Sequence, residues 1–223
     1  MIRCAIFDCD GTLVGSGSTI HRALGLAFAD HGLTLPPREQ AQRVIGLSLV
    51  EAMAALAPDL DDHRHRLLAD TYKEAFVSLR GQRQVEEPLF EGILPLLDAL
   101  EERGWLLAVA TGKSDRGLKH CLESHGIHAR FLSLQTADRH PSKPHPSMAL
   151  TAMADCGAEP AASVVIGDTG WDMGMARAGG AHAIGVLWGY HDAAELEAAG
   201  AHTLAAHPAD VIDLAESMVR IAA

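Results

Sequence analysis

The sequence predicts an α/β fold, a doubly wound parallel sheet into which a segment of helices is inserted. Two observations carry this prediction. Short apolar runs alternate with helical patterns over most of the chain, whereas residues 18–85 carry helical patterns alone. Alternating strands and helices favour a parallel sheet with right-handed crossovers. We therefore predict a core made of residues 1–15 and 88–223, and a helical cap domain at residues 16–87.

The predicted strands are continuous apolar runs, of the kind that is buried on both faces of a parallel sheet. The first begins at residue 2, and the others lie at 105–110, 131–134, 163–166 and 181–187. Between and after them we expect helices at 92–103, 114–124, 145–155 and 171–178, and a tail of two short helices around Glu195 and Val211.

The inserted segment shows apolar residues at helical spacing, at positions 20, 24, 27 and 28 and again at 68, 72, 76 and 79. Ser48 and Glu51 have the spacing of a capping box, which predicts a helix that begins there. Asp61 or Asp62 is the expected N-cap of the next helix. These stripes predict a small helical bundle with its own apolar core.

Composition narrows the class of protein. The 223 residues include 18 lysines and arginines against 29 aspartates and glutamates, so the formal net charge is −11. This charge argues against binding to nucleic acid or to an anionic membrane. No apolar run reaches the roughly 20 residues that span a bilayer, and no signal peptide is visible. Four cysteines without CxxC spacing are typical of reduced thiols. We expect a cytoplasmic protein, whose oligomeric state the sequence does not indicate.

Asp8 and Asp10 are the most informative residues. They directly follow the first apolar run, and residues two apart in an extended segment point to the same side. Two carboxylates this close repel each other unless a cation lies between them. Mg²⁺ takes carboxylate oxygens, keeps several water molecules and completes its ligand set with phosphate. The pair therefore predicts a magnesium site that receives a phosphate group.

Three further motifs follow predicted strands, at the edge where sheets of this kind bind ligands. Thr111 and Gly112 come after the strand at 105–110, where a hydroxyl and free backbone N–H groups suit a phosphate oxygen. Lys143 stands in a proline-rich loop before a helix. Asp168 and Asp172 follow the strand at 163–166, and Asp172 also suits a helix N-cap. The strand ends together supply acids for a cation, a candidate nucleophile, a hydroxyl and a lysine.

With these motifs in this order, the chain resembles the haloacid dehalogenase superfamily, in the phosphoglycolate phosphatase-like branch that carries a helical cap. The resemblance covers nearly the full length and implies a Rossmann-like core. It rests on Asp8-Cys-Asp-Gly-Thr12, Thr111-Gly112, Lys143, and Gly167-Asp168 with Asp172.

The resemblance also implies roles. Asp8 would be the nucleophile and Asp10 the general acid and base. Asp168 would complete the Mg²⁺ site with Asp8 and the Asp10 carbonyl, and Asp172 would be either a further ligand or a residue that orients one. Thr111, Gly112 and Lys143 would hold the phosphoryl group. Lys143 would supply a positive charge that pairs with the phosphoryl oxygens.

These roles describe a phosphatase. Attack by Asp8 would form an aspartyl-phosphate, and Asp10 would protonate the leaving alkoxide and then activate the water that hydrolyses the intermediate. Dehalogenation needs no acid for the leaving group, so Asp10 favours a phosphatase over a dehalogenase.

The expected substrate is a small phosphorylated metabolite. Phosphoglycolate, other short phosphorylated acids, sugar phosphates and pyrophosphate fit the motifs equally. Arg43, before the second cap helix, is a candidate for pairing with an anionic substrate group. One alternative is a sugar-phosphate mutase similar to β-phosphoglucomutase, which returns the phosphoryl group to substrate. Another is a non-catalytic metabolite sensor, which would not need both Asp8 and Asp10.

Overall fold

The computed structural model of the chain describes residues 1–221. Among them is one sheet of six parallel strands, in the spatial order 3-2-1-4-5-6. The strands are β1 (Arg3–Phe7), β2 (Trp105–Thr111), β3 (Phe131–Thr136), β4 (Ser163–Gly167), β5 (His182–Val186) and β6 (Thr203–Ala205). The predicted parallel α/β fold is confirmed.

Four helices follow β1, namely α1 (Gly17–Asp30), α2 (Arg38–Arg43), α3 (Leu49–Leu56) and α4 (Asp62–Gly81). We refer to α1–α4 and their loops as the cap. Its helices share an apolar cluster of their own, in which Leu24, Phe28, Met53 and Leu68 are almost fully buried. The domain boundaries after residues 15 and 87 stay a prediction.

Six helices cover the two faces of the sheet. They are α5 (Ile93–Glu102), α6 (Asp115–Ser124), α7 (Ser147–Cys156), α8 (Gly170–Gly179), α9 (Ala193–Ala198) and α10 (Pro208–Ile221). Helices α5, α6 and α10 pack on one face, and α7, α8 and α9 on the other. Along β1, Phe7 belongs to the first apolar cluster and Ile6 to the second, as the alternation of side chains along a strand requires.

The register of the central strands fixes where the site lies. Phe7 pairs with Val109 of β2 and with Ile166 of β4, so these three strands end nearly level. The residues that follow them therefore meet at the same edge, which we call the carboxyl edge. None of the helices within residues 1–221 combines the length and apolarity needed to cross a membrane.

Two sequence predictions about local structure are wrong. The tail contains strand β6 between its helices, and α10 is 14 residues long rather than short. The three residues of β6 are too few to give a periodic signal. Ser48 does precede α3, but its side chain caps no N–H group, so no capping box forms there. Asp61 is the N-cap of α4, and it accepts a hydrogen bond from the Arg64 N–H at 2.8 Å.

Candidate active site

The carboxyl edge gathers the polar side chains predicted from the sequence. Asp8 follows β1, Thr111 ends β2, Asp168 follows β4, and Lys143 comes from the loop after β3. These side chains and that of Asp172 are at most 1% exposed. Charged groups are buried to this degree only where partners or ions compensate for the lost water. The edge therefore has the character of a binding site.

Asp8 has the most unused bonding capacity. Its backbone N–H donates to the Ile166 carbonyl at 2.9 Å, which fixes Asp8 beside β4. Lys143 Nζ lies 2.9 Å from Asp8 Oδ1 and forms an ion pair with it, whereas Asp8 Oδ2 has no partner among the described residues. Leaving a buried acceptor without a donor is destabilising. A buried carboxylate with one oxygen left without a partner is therefore what a site that takes a ligand would contain.

Lys143 is positioned by Asp172. Its Nζ donates to Asp172 Oδ1 at 2.7 Å, and Asp172 Oδ2 accepts from the Thr169 hydroxyl at 2.6 Å and the Thr169 N–H at 3.1 Å. The N-cap of α8 is Thr169 rather than Asp172, and the two residues form a capping box. Asp172 already binds a cation, the Lys143 ammonium group, whereas Asp168 accepts only from the neutral donors Thr12 and Tyr190. The contacts of Asp172 therefore suit the orienting role better than that of a metal ligand.

Asp168 is held from both sides. The Thr12 hydroxyl donates to Asp168 Oδ1 at 2.8 Å, and the Tyr190 N–H donates to Oδ2 at 3.0 Å. A Cβ atom at Gly11 or at Gly189 would overlap the Asp168 side chain. Glycine at both positions therefore leaves the room that this carboxylate occupies.

The acids at the edge fit a divalent cation. Asp8, Asp168 and Asp172 each offer a carboxylate oxygen within 4.8 Å of the others. Burial raises the pKa of Asp8 to about 7, and burial with the nearby carboxylates raises the pKa of Asp168 well above its usual range. Burial alone would lower the pKa of Lys143, but Asp172 and Asp8 outweigh it and raise that pKa.

Three carboxylates and one ammonium group leave two negative charges, which one divalent cation would balance. All three candidate ligand atoms are carboxylate oxygens, the ligands that Mg²⁺ prefers. Asp8 Oδ2 adds an independent reason, because it has no hydrogen-bond donor among the described residues.

Asp10 has a separate set of partners. Its Oδ1 accepts a hydrogen bond from the Ser16 hydroxyl and lies 2.8 Å from Lys113 Nζ. Lys113 Nζ also lies 2.6 Å from Glu87 Oε1. Burial would lower the pKa of Lys113, but the charges of Asp10 and Glu87 raise it well above its usual value. Lys113 is therefore a charged side chain that fixes one oxygen of Asp10.

Sequence reasoning missed the residues that hold the acids in place. These are Thr12 as a partner of Asp168, and Ser16, Glu87, Lys113, Thr169 and Tyr190. A signal existed for Thr169, because Thr and Asp three residues apart have the spacing of a capping box. No local signal pairs Lys113 with Glu87, since 26 residues separate them.

The loop between α2 and α3 covers the carboxyl edge. The Ser48 N–H donates to Ser142 Oγ at 2.8 Å, which joins the cap to the loop that carries Lys143. A Cβ atom at Gly112 would overlap the backbone oxygens of Gly46 and Leu47. Gly112, a predicted phosphate-binding residue, therefore lies directly under this loop.

The structure does not bring Arg43 to the predicted substrate position. Its guanidinium group pairs with Glu195 and lies 3.9 Å from Glu39, and its carbonyl accepts from Trp171 Nε1 at 3.1 Å. Arg43 therefore connects the end of α2 to α8 and α9. It is not among the residues that line the cavity between the cap and the core.

That cavity has a volume of about 450 Å³. Helices α1, α3 and α4 and the α2–α3 loop line it on the cap side. Residues 112–114, 116–117 and 137–138 line it on the core side. Asp10 borders the cavity, whereas Asp8, Lys143 and Asp168 do not. The cavity thus joins the carboxyl edge on the side of Asp10.

Comparisons with known proteins agree with this geometry. A family model for haloacid dehalogenase-like hydrolases matches residues 2–180. The chain is 35% identical over 221 residues to a probable phosphatase, IndB, of Dickeya dadantii, covering 97% of this chain and 94% of that protein. It is 31% identical over 189 residues to a phosphoglycolate phosphatase of Xylella fastidiosa, covering 84% and 81%.

A solved structure of similar shape is that of a hydrolase from Pseudomonas syringae. The two share a TM-score of 0.84 at 27% sequence identity, over 96% of this chain and 98% of the other. The matched family segment includes every predicted residue of the carboxyl edge, from Asp8 to Asp172. The chain therefore belongs to the haloacid dehalogenase-like hydrolases and is an enzyme of the phosphatase type.

Proposed function

We propose that this enzyme hydrolyses a small phosphorylated metabolite, with Mg²⁺ as cofactor and through an aspartyl-phosphate on Asp8. The observation that carries the proposal is the Asp8 carboxylate, which is buried beside Lys143 and Asp168 and whose Oδ2 has no partner among the described residues. The names of the Dickeya and Xylella relatives, a probable phosphatase and a phosphoglycolate phosphatase, support it.

In the first step a carboxylate oxygen of Asp8 attacks phosphorus, and the bond from phosphorus to the leaving oxygen breaks. Asp10, fixed by Ser16 and Lys113, gives its proton to that oxygen. Lys143 lies next to Asp8 and reduces the repulsion between the carboxylate and the phosphate. The products of this step are the free alcohol and the aspartyl-phosphate.

In the second step a water molecule attacks the same phosphorus while Asp10 takes a proton from it. The acyl-phosphate bond breaks, which frees phosphate and restores the Asp8 carboxylate. The Thr111 hydroxyl and the backbone at Gly112 are proposed to bind phosphate oxygens during both steps. Mg²⁺, held by Asp8, Asp168 and the Asp10 carbonyl, would neutralise phosphate charge.

The test is phosphate release from p-nitrophenyl phosphate with Mg²⁺ and with EDTA, followed by acid quench to trap phosphoenzyme. We expect phosphate release that requires Mg²⁺, and a phosphoryl group trapped on Asp8. Binding of phosphate esters without turnover would instead favour a sensor. Transfer of the phosphoryl group between positions of a sugar phosphate, with little free phosphate, would favour a mutase.

A further inference from the structure

We propose that the natural substrate is a phosphomonoester with a large apolar group, an aromatic one by preference, which binds in the cavity beneath the cap. This inference rests on the proposed phosphatase function and deepens it by naming the substrate class. It sets the enzyme apart from one that acts on a short phosphorylated acid.

The position of the cavity supplies the first argument. Asp10 is the acid that would protonate the leaving oxygen, and Asp10 is the carboxyl-edge acid that borders the cavity. The organic group is attached to that oxygen. It must therefore extend from the edge past Asp10, which is the direction in which the cavity lies.

The walls supply the second argument. Three cap helices contribute apolar side chains to the cavity wall. Two of these side chains are aromatic. The Tyr72 and Phe76 rings lie next to each other, with centroids 5.9 Å apart and planes tilted by 44°. Aromatic walls bind flat apolar groups by stacking and by edge contacts. The apolar wall consists mainly of Ile20, Leu24, Leu49, Met53, Tyr72 and Phe76.

The charges supply the third argument. Of the four cationic side chains that line the cavity within the described chain, three already have acidic partners. Lys113 lies between Asp10 and Glu87, Arg80 pairs with Glu87, and Lys73 pairs with Asp70. The fourth, Arg116, is exposed. Arg80 Nε is buried without a hydrogen-bond partner, but the same guanidinium group is already paired with Glu87. A substrate carboxylate beside Asp10 would thus meet no buried cation that lacks an acidic partner.

The Arg80 Nε–H and the Tyr72 hydroxyl are polar groups of the cavity wall that could contact a substrate. The Tyr72 hydroxyl makes no hydrogen bond with the described residues, and burial raises the pKa of Tyr72, so it stays protonated and can donate. Ligand pockets commonly combine apolar walls with a few such polar groups. Tyr72 would therefore contact a single polar atom of an otherwise apolar group.

Size supplies the last argument. At the ~30 Å³ that one water molecule takes in the liquid, the cavity volume equals that of about fifteen water molecules. A two-carbon acid would displace few of these and leave the rest against apolar walls. An aromatic group would displace more of them and gain the corresponding hydrophobic free energy.

The experiment compares primary alkyl phosphates with similar leaving groups: ethyl, 2-phenylethyl and 2-naphthylethyl phosphate, with phosphoglycolate as the short acid. We expect kcat/KM for 2-phenylethyl phosphate to exceed that for ethyl phosphate by at least about tenfold, or ~1.4 kcal/mol. Phosphoglycolate should fall at or below the ethyl ester. Because the alkyl leaving groups are similar in reactivity, a rise in kcat/KM along the series reports stronger binding of the organic group.

Two variants locate the effect. Phe76→Leu, which removes the ring and keeps an apolar side chain, should reduce the preference for the aromatic esters by about threefold or more. Leu67→Ala changes an exposed residue on the same helix that does not line the cavity, and it should leave the preference unchanged.

Each outcome decides something. Equal kcat/KM across the series, or a preference for phosphoglycolate, would overturn the inference about substrate class and leave the phosphatase intact. A rise in wild type that Phe76→Leu leaves unaltered would overturn the assignment to this cavity. No phosphate release from any ester in the presence of Mg²⁺ would overturn the proposed function itself.

Discussion

The carboxyl edge and the cavity meet at Asp10 but are built from opposite kinds of side chain. The edge buries charged groups such as Asp8, Lys143 and Asp168, whereas the cavity wall presents apolar groups such as Met53 and Phe76. Charges at the edge would act on the phosphoryl group, which all substrates share. Apolar walls would act on the organic group, in which substrates differ. Under the proposed function, the core would therefore carry out the reaction and the cap would select the substrate.

This comparison can be broken by substitution. Changes at the carboxyl edge should lower turnover for every substrate, and changes in the cap should alter the ranking of substrates or have little effect.

Asp8→Asn tests the edge most directly. The amide keeps the size of the side chain but cannot attack phosphorus, so we expect turnover to fall at least ~10³-fold. The measurement is kcat for p-nitrophenyl phosphate, with thermal unfolding to confirm an intact fold. Asp59→Asn, an exposed cap residue, is the control. More than a tenth of wild-type activity in Asp8→Asn would exclude a covalent role.

Asp10→Asn tests the residue at which edge and cavity meet. An alkoxide leaves readily only when Asp10 gives it a proton, whereas p-nitrophenolate leaves readily without one. We therefore expect the first step to slow more for alkyl phosphates than for p-nitrophenyl phosphate, by roughly 10². The same residue activates water, so phosphoenzyme should accumulate with the activated ester, as measured by rapid quench. Equal losses for both esters, with no trapped phosphoenzyme, would leave Asp10 a structural role.

Asp168→Asn tests the metal and is matched with Asp172→Asn. Loss of the Asp168 charge should raise the Mg²⁺ concentration for half-maximal activity roughly 10-fold. The Asp172 oxygens bind Lys143 and Thr169, so Asp172→Asn should lower kcat more than it shifts the Mg²⁺ titration. A larger Mg²⁺ shift in Asp172→Asn would make Asp172 a ligand after all.

Arg43→Ala tests the cap and carries the smallest expected effect. Its ion pair with Glu195 is partly exposed, and such pairs contribute about 0–1 kcal/mol to the free energy of unfolding. We expect KM to change by less than about threefold. Glu195→Gln breaks the same pair and keeps the arginine. A KM that rises about tenfold or more in Arg43→Ala alone, or ~1.4 kcal/mol of lost binding, would restore Arg43 as a substrate-binding residue.

The sequence predicts what local order determines. Asp8, Thr111 and Asp168 directly follow or end apolar strands, and the carboxyl ends of parallel strands meet at one edge. The fold class and the cluster of acids could therefore be read before any coordinates. Lys143 was also placed at this edge by its position after β3.

Contacts between distant segments could not be read in this way. Lys113 and Glu87, or Arg43 and Glu195, meet because the cap folds back onto the core, and each of these residues alone resembles an ordinary surface charge. The missing capping box has a similar cause. The Ser48 N–H donates to Ser142, a residue of the core. A contact with the core thus takes the place of the capping box that the local spacing of Ser48 and Glu51 predicts.

The close approach of Gly112 to the cap makes one hydrogen atom decisive for how long the active site stays covered. A methyl group at position 112 would meet the backbone oxygens of Gly46 and Leu47, which cannot rotate away as side chains do. The methyl group of an alanine there would push the α2–α3 loop away and favour conformations in which the active site is uncovered. Ligands would then exchange faster, while bulk water would reach the phosphoenzyme more often. We therefore expect glycine at position 112 to keep the α2–α3 loop in contact with the carboxyl edge.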